Sequence, residues 1–243
     1  MVDNQFEVFL ADDDWGRRIH YQLRYRVFCL ETGYEDPSRY PDGEEQDPWD
    51  EHAAHFLVRQ KDSGDWVAAM RLVLPHAPGL PIEHRTRIDA GQRRAPERCA
   101  EISRLCMVGH YRRRLQGRVR LCAEPSAAAD ESEPAVPAEF KKQQRTAEIL
   151  QSLLKAAVTI SVERGVAYWY MLTTRSLAKI LGYVLPMDMQ PAGPPCMHRG
   201  ERHPYLVDVG QVVRGMKALS HPDLAYRCHS ELMHAMPRVV GAE

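Results

Sequence analysis

Cys99-Ala-Glu-Ile-Ser-Arg-Leu-Cys-Met-Val108 has the composition of a half-buried strand. Alternate residues of a strand share a face, so Glu101, Ser103 and Leu105 are expected to point one way and Ile102 and Arg104 the other. Upstream, His55–Arg59 and Trp66–Leu74 predict two strands around the turn Lys61-Asp-Ser-Gly-Asp65. Gln5–Leu10 predicts a first strand, and Asp12–Asp14 offers N-caps for a helix to about Leu30. In that helix Ile19, Leu23, Val27 and Leu30 step by four, four and three, and Gly33 ends it. Downstream, Gln144–Arg164 places Ile149, Leu153, Ala157 and Ile160 on one helical face before a C-cap at Gly165. Val166–Thr173 predicts a buried strand, and Ser176–Leu181 a short helix closed by Gly182. Tyr183–Leu185 and Tyr205–Val209 predict final strands, and the tail after Gly210 is helical in parts. The order β-α-ββ-β-α-β-α-ββ implies an α+β fold, a mixed and mostly antiparallel sheet flanked by helices, rather than a doubly wound one.

The chain has 243 residues, 44% hydrophobic and 27% charged, which suits one globular domain over 1–243. Collagen, coiled coil and wholesale disorder are excluded. No apolar run approaches the roughly 20 residues of a membrane span. Met1-Val-Asp-Asn-Gln-Phe-Glu lacks the pattern of a signal peptide, and the six cysteines form no C-x-x-C, so reduced thiols and a cytoplasmic location are expected. The net charge of −1 argues against a nucleic-acid binder. That balance hides segregation. Residues 31–51 hold nine acids and one base, whereas residues 85–120 hold eleven arginines and three acids. Two such segments either feed one polar site or are solvated loops that attract each other. Glu124–Glu139, rich in Pro and small residues, is expected to be a flexible loop, with 210–243 a C-terminal extension. No dinucleotide fingerprint or P-loop is present.

Three segments share an unusual set of side chains. They are Leu23-Arg24-Tyr25-Arg26-Val27-Phe28 with Gly33-Tyr34, then Glu45-Gln-Asp47-Pro-Trp-Asp50, then Met70-Arg71-Leu72 with Glu101-Ile-Ser103-Arg104. Arg24, Arg71 and Arg104 can be balanced by Asp47, Asp50 and Glu101, the near-neutral count that a buried ion network needs. On composition alone, the set is either a structural network or a catalytic site.

In this order R-x-x-V-F, G-[WY], E-x-D-x-x-D, a strand Arg and E-x-S-R resemble the acyl-homoserine-lactone synthases of the GNAT superfamily. The Glu101-Ile-Ser-Arg104 run followed by Tyr111-Arg-Arg-Arg114 is more similar to the acyltransferases associated with PEP-CTERM/exosortase systems, with N-acyl amino acid synthases nearby. The resemblance covers about Phe6 to Val209 and implies a GNAT-like fold. It also implies acyl transfer from an acyl-CoA or acyl-carrier-protein thioester to a small amine such as an amino acid, with no permanently bound cofactor. Glu101, Ser103 and Arg104 are the implied catalytic residues, with Glu101 the candidate base, directly or through water. Arg24, Phe28, Tyr34, Asp47, Asp50 and Arg71 are the implied substrate-binding residues. Tyr34 stands where the lactone synthases usually carry Trp. Arg112, Arg113 and Arg114 are candidates for a pantetheine phosphate or for an acyl carrier protein as partner. The family's phosphate loop is not intact, with one glycine in Tyr111-Arg-Arg-Arg-Leu-Gln-Gly117. Asp47 and Asp50 either hold an acceptor ammonium or pin their loop through Arg24 and Arg71. Two alternatives stay open: lactone synthesis from S-adenosylmethionine, and an inactive module that binds acyl carrier protein or a small ligand.

Phe28, Trp49, Trp66, Leu72, Tyr168, Trp169 and Tyr170 either line an acyl tunnel or form core. Cys196-Met-His198 with His203, and Cys228-His229 with His234, fall short of a zinc set, so no metal is expected. Cys29 and Cys106 fit buried small hydrophobes.

Overall fold

The computed structural model describes residues 5–76, 79–112, 138–185, 187–218 and 227–228. Its strands are β1 (Phe6–Leu10), β2 (Ala53–Gln60), β3 (Trp66–Val73), β4 (Cys99–Met107), β5 (Tyr168–Thr173), β6 (Gln190–Pro191), β7 (Cys196–Met197), β8 (Glu201–Asp208) and β9 (Arg227–Cys228). Its α-helices are α1 (Asp14–Tyr25), α2 (Gly109–Arg112), α3 (Ala138–Glu163), α4 (Arg175–Val184) and α5 (Val209–Ala218). The sheet runs β6-β8-β5-β4-β3-β2-β1-β9, with β7 paired to β8. Neighbours are antiparallel except β4–β5 and β1–β9. The α+β, mostly antiparallel expectation is therefore met.

The two parallel joints have different lengths. β9 adds two residue pairs at the edge beside β1, so part of the C-terminal tail belongs to the sheet. β4 pairs β5 only over Cys99–Ile102 against Tyr168–Met171, and the remainder of β4 has no strand partner on that side among the described residues. At the same place β4 carries one extra residue relative to β3. Arg71 faces Ser103 but Ala69 faces Cys106, with the shift opposite Met70. Arg104 takes up the bulge at φ +50°, a left-handed conformation that costs a non-glycine residue about 1 kcal/mol or more.

Each face of the sheet carries its own layer. Trp169 is fully buried against α3, where its indole N–H donates to Ser161 Oγ at 2.8 Å. Tyr170 points the other way, into a smaller cluster with Val73, Leu80, Ile82, Cys99 and Leu206. The aromatic residues considered for one tunnel are thus split between opposite faces. Helix α1 lies over the face bearing His55 and Arg71, with the His20 and His55 rings 4.7 Å apart. Asp13 caps α1 by accepting the Gly16 N–H at 2.6 Å.

Four sequence expectations need correction. The first helix does not run evenly to Leu30. From Arg26 to Glu31 it widens into a π-helix, which Thr32 closes by donating both its N–H and its hydroxyl to Val27 O. Tyr183 and Val184 belong to α4, not to a strand, because Gly182 does not stop that helix. Val209 begins α5 rather than ending β8. Helix α3 starts at Ala138, inside the expected loop, and 124–137 lie outside the described residues.

Candidate active site

The segment Glu45–Asp50 enters the fold as a short 3-10 helix, Pro48–His52, capped reciprocally. Asp47 accepts the Trp49 N–H, and Asp50 Oδ2 accepts the Asp47 N–H at 2.7 Å. This cap aims both carboxylates at β3. Arg71, fully buried on β3, donates to Asp47 Oδ1 and to Asp50 Oδ1 at 2.8 Å, and its Nε donates to Ser103 Oγ at 3.2 Å. Arg24, fully buried on α1, donates to Glu45 Oε2 at 2.5 Å and Asp50 Oδ1 at 2.7 Å. Arg104 donates from Nε to Glu45 Oε1 at 3.1 Å and from Nη2 to Asp47 Oδ2 at 2.9 Å. Six of the expected residues, Arg24, Asp47, Asp50, Arg71, Ser103 and Arg104, therefore meet in one network.

Arg104 was expected on the face opposite Ser103. The bulge and its positive φ turn it onto the same side, where both join Asp47 through ion pairs or through Arg71. The sequence balance also assigned Glu101 to an arginine. Instead Glu45, fully buried, fills that place, and no arginine lies within ion-pair distance of Glu101 among the described residues. Burial pushes the Glu45 and Asp50 carboxyls up, but the arginines outweigh it and hold both below the usual carboxylate range.

Glu101 lies one step along β4, opposite Val73 on β3 and Tyr170 on β5. Its Oε2 accepts the Ile82 N–H at 2.6 Å and the side chain is 3% exposed. Burial pushes its pKa up to about 8, against the lowering pull of the Ile82 N–H and of Arg71 and Arg104. This carboxyl changes charge near neutral pH, where a proton acceptor is useful. It sits where β4 and β5 part.

Phe28 is buried in the π-helix, and its carbonyl accepts the N–H groups of Tyr34 at 2.8 Å and Glu35 at 3.1 Å. Tyr34 is exposed, with the Arg202 guanidinium 6.0 Å from its ring centre. Arg112 ends α2, and the side chains of Arg112, Arg113 and Arg114 lie outside the described residues.

Sequence reasoning missed three contributors. Glu45 belongs to the E-x-D-x-x-D segment, yet the balance of three arginines against Asp47, Asp50 and Glu101 does not include it. Glu35 and Arg199 pair with each other, Glu35 8% and Arg199 19% exposed at the side chain, and Arg104 Nη2 lies 3.9 Å from Glu35. Arg199, at φ +55°, comes from the β7–β8 turn, next to His198. Four arginines thus face four carboxylates. Among the described residues no cluster of three or more His, Cys, Asp or Glu could hold a metal ion.

His55 Nε2 donates to Asp50 O at 3.0 Å, leaving Nδ1 buried and without a hydrogen-bond partner 3.9 Å from Asp50 Oδ1. Burial holds His55 down at about 4 and His20 well below the ordinary histidine value. A histidine with a lowered folded pKa contributes stability that is present above the unfolded value near 6.5 and lost as pH falls toward the folded value. Glu101 acts oppositely, so the test uses Glu101→Gln. In that background the melting temperature is expected to fall steadily from pH 7 to pH 4.5, and His55→Gln to flatten the slope. Calorimetry showing equal melting temperatures at both pH values would remove this account.

Residues 23–121 match the family model of the acetyltransferase (GNAT) domain. Among curated proteins, none matches the chain. Solved structures with the same architecture include BjaI, a CoA-dependent acyl-homoserine lactone synthase, with SAM and isopentyl-CoA. Its TM-score is 0.58 at 19% identity, over 90% of this chain and 90% of that one. TofI, in a ternary complex with an inhibitor and MTA, gives 0.57 at 18% identity, over 87% and 96%. FeeM, an N-acyl amino acid synthase from uncultured soil microbes, gives 0.52 at 10% identity, over 89% and 98%. At these identities the likeness establishes the fold, which is the GNAT-like acyltransferase fold.

Proposed function

We propose that this chain, an acyltransferase built on the GNAT-like fold, moves a fatty acyl group from a thioester of CoA or acyl carrier protein to the amine of a small metabolite. The observation that carries the reading is Glu101, a buried carboxyl with its pKa raised to about 8, at the point where β4 leaves β5. The amine attacks the thioester carbonyl, and its proton passes to Glu101, directly or through water. The tetrahedral oxyanion then collapses, the C–S bond breaks, and the thiolate leaves and takes up a proton. Past Ile102 β4 has no strand partner on the β5 side among the described residues, and backbone N–H groups left unpaired by such a parting can serve as preorganised donors to the oxyanion. Arg71 fixes Ser103, and the arginine–carboxylate network holds Arg104 at the bulge. Arg112–Arg114 are proposed to meet the donor's phosphate or the carrier protein. The narrower assignment to the PEP-CTERM/exosortase-associated branch rests on Glu101-Ile-Ser-Arg104 and Tyr111-Arg-Arg-Arg114 alone.

The test is mass spectrometry of small molecules from cells expressing the protein, with Glu101→Gln as control and S-adenosylmethionine-derived lactones monitored alongside. N-acylated species confined to the intact protein are expected. Identical profiles with both proteins folded would overturn the reading. With purified enzyme, the rate should rise with pH as one proton leaves Glu101 and level off above about 8. A rate that is flat from pH 6.5 to 9 would rule Glu101 out as the base.

A further inference from the structure

A cavity of about 560 Å³ opens on the Glu101 side of the sheet, at the opposite end of the paired part of β4 from the cleft. Cys99 and Tyr170 belong to its lining. Tyr170 is the register partner of Glu101, and Cys99 shares a strand face with it. Leu80, also in the lining, starts the turn whose Ile82 N–H holds Glu101.

The charge of this cavity is one-sided. Arg85, Arg87, Arg93 and Arg94 all line it, against the single carboxylate of Glu83. Glu83 Oε2 is engaged by the Leu80 N–H at 2.9 Å. Among the described residues no carboxylate lies within ion-pair distance of any of the four arginines. That contrasts with the network next to it, where every guanidinium has a carboxylate. The loop that carries them is held in place. Asp89 N–H donates to Ala192 O at 2.9 Å, Thr86 Oγ1 to Pro194 O at 2.9 Å, and a Cβ on Gly193 would clash with Arg87 O. Arg94 donates to the carbonyls of Gly91 and Arg93 and stacks 5.2 Å from the Tyr168 ring centre. Tyr170 Oη donates to Gln92 O at 2.8 Å. A solvated loop needs none of these anchors. Guanidiniums without counter-ions, carried by an anchored loop around a concave space, form a receptor for anions.

We propose that this cavity receives an acidic substituent, a carboxylate or a phosphate, that the amine acceptor carries in addition to any α-carboxylate. The inference rests on the acyl-transfer reading and specifies its acceptor as an acidic amine. The cleft past Ile102 is left to the thioester, and the acceptor's amine is presented to Glu101 from the Cys99 end. Selectivity then comes from charge in the pocket, because an acceptor without the anion leaves the guanidiniums unpaired.

The experiment uses the full chain with acyl-CoA as donor and aspartate, O-phosphoserine and serine as acceptors. Turnover is followed by thiol release, and binding of each amine without donor by calorimetry. The wild type is expected to bind and acylate an acidic amine at least about tenfold better than serine, and the preferred probe separates carboxylate from phosphate. Arg85→Gln with Arg87→Gln, both exposed, should raise KM and Kd for the acidic amine about tenfold. It should leave kcat and the donor's KM within twofold. Arg94→Gln serves as a second, independent variant. Equal use of serine, a shift confined to the donor's KM, or no binding of any acidic amine overturns the proposal. Acidic-amine binding that the arginine variants weaken, with no turnover, keeps the cavity and unseats acyl transfer. Turnover of neutral amines alone does the reverse.

Discussion

Glu101→Gln is expected to leave a folded protein that still binds its thioester donor and turns over roughly 10²–10⁴-fold more slowly, the usual contribution of a positioned general base. The amide retains an oxygen to accept the Ile82 N–H, now at 2.6 Å from Oε2, so the turn over β4 keeps its anchor. It cannot accept the amine's proton. The same change alters stability in a definite direction. The folded carboxyl, with its pKa about 8, holds its proton more tightly than the unfolded one near 4.5. Its contribution is fully present below the unfolded value and lost as pH rises through about 8. Glu101→Gln has no charge to bury, so its melting temperature at pH 8.5 should exceed that of the wild type. Melting scans at pH 5.5 and 8.5 with single-turnover assays on the same preparations decide both points. Retained turnover assigns the proton transfer to another group. Retained turnover together with a lower melting temperature at pH 8.5 also contradicts the buried position of the carboxyl.

Arg24→Ala should be the most damaging single change to the fold. The guanidinium is fully buried and serves Glu45 at 2.5 Å and Asp50 at 2.7 Å. Removing it leaves two buried carboxylates to share Arg71 and Arg104, which already serve Asp47. Breaking such a pair from one side costs about 3–5 kcal/mol. In a chain of this size that corresponds to a melting point lower by roughly 10 °C. Arg24→Lys keeps the charge but loses the two-pronged geometry and should fall between the two. A melting temperature for Arg24→Ala within about 2 °C of the wild type would show that the network is not structural.

Much of this was legible from residue order. The apolar steps of α1 and α3, the β2–β3 turn and the alternation of Glu101 and Ser103 follow from local periodicity, which a sequence carries directly. The errors arose where a single backbone conformation overrides the pattern. Arg104 broke the alternation because one extra residue on β4 shifted the register opposite Met70, and neighbouring side chains do not signal a bulge. Gly182 looked like a stop. It lies inside α4, where a Cβ would come within 3.3 Å of Met187 O, so its signal was close packing. Arg199 was out of reach because its partner Glu35 is distant in sequence and its own turn resembled a metal set. Glu45 was within reach. A third acid beside Asp47 and Asp50 was visible, and only its burial was not.

The four-pair joint between β4 and β5 also has a kinetic meaning. β1 to β4 form by neighbouring antiparallel pairings, whereas β5 must find β4 across the stretch from Ile102 to Tyr168, α3 included. Non-local parallel pairing is slow because chain entropy must be lost before contacts reward it. The first half can therefore assemble before the second docks, and the proposed reaction site at the β4–β5 junction exists only once that seam has closed. Activity recovered on refolding should lag behind secondary structure, making turnover a direct reporter of when the two halves of the chain meet.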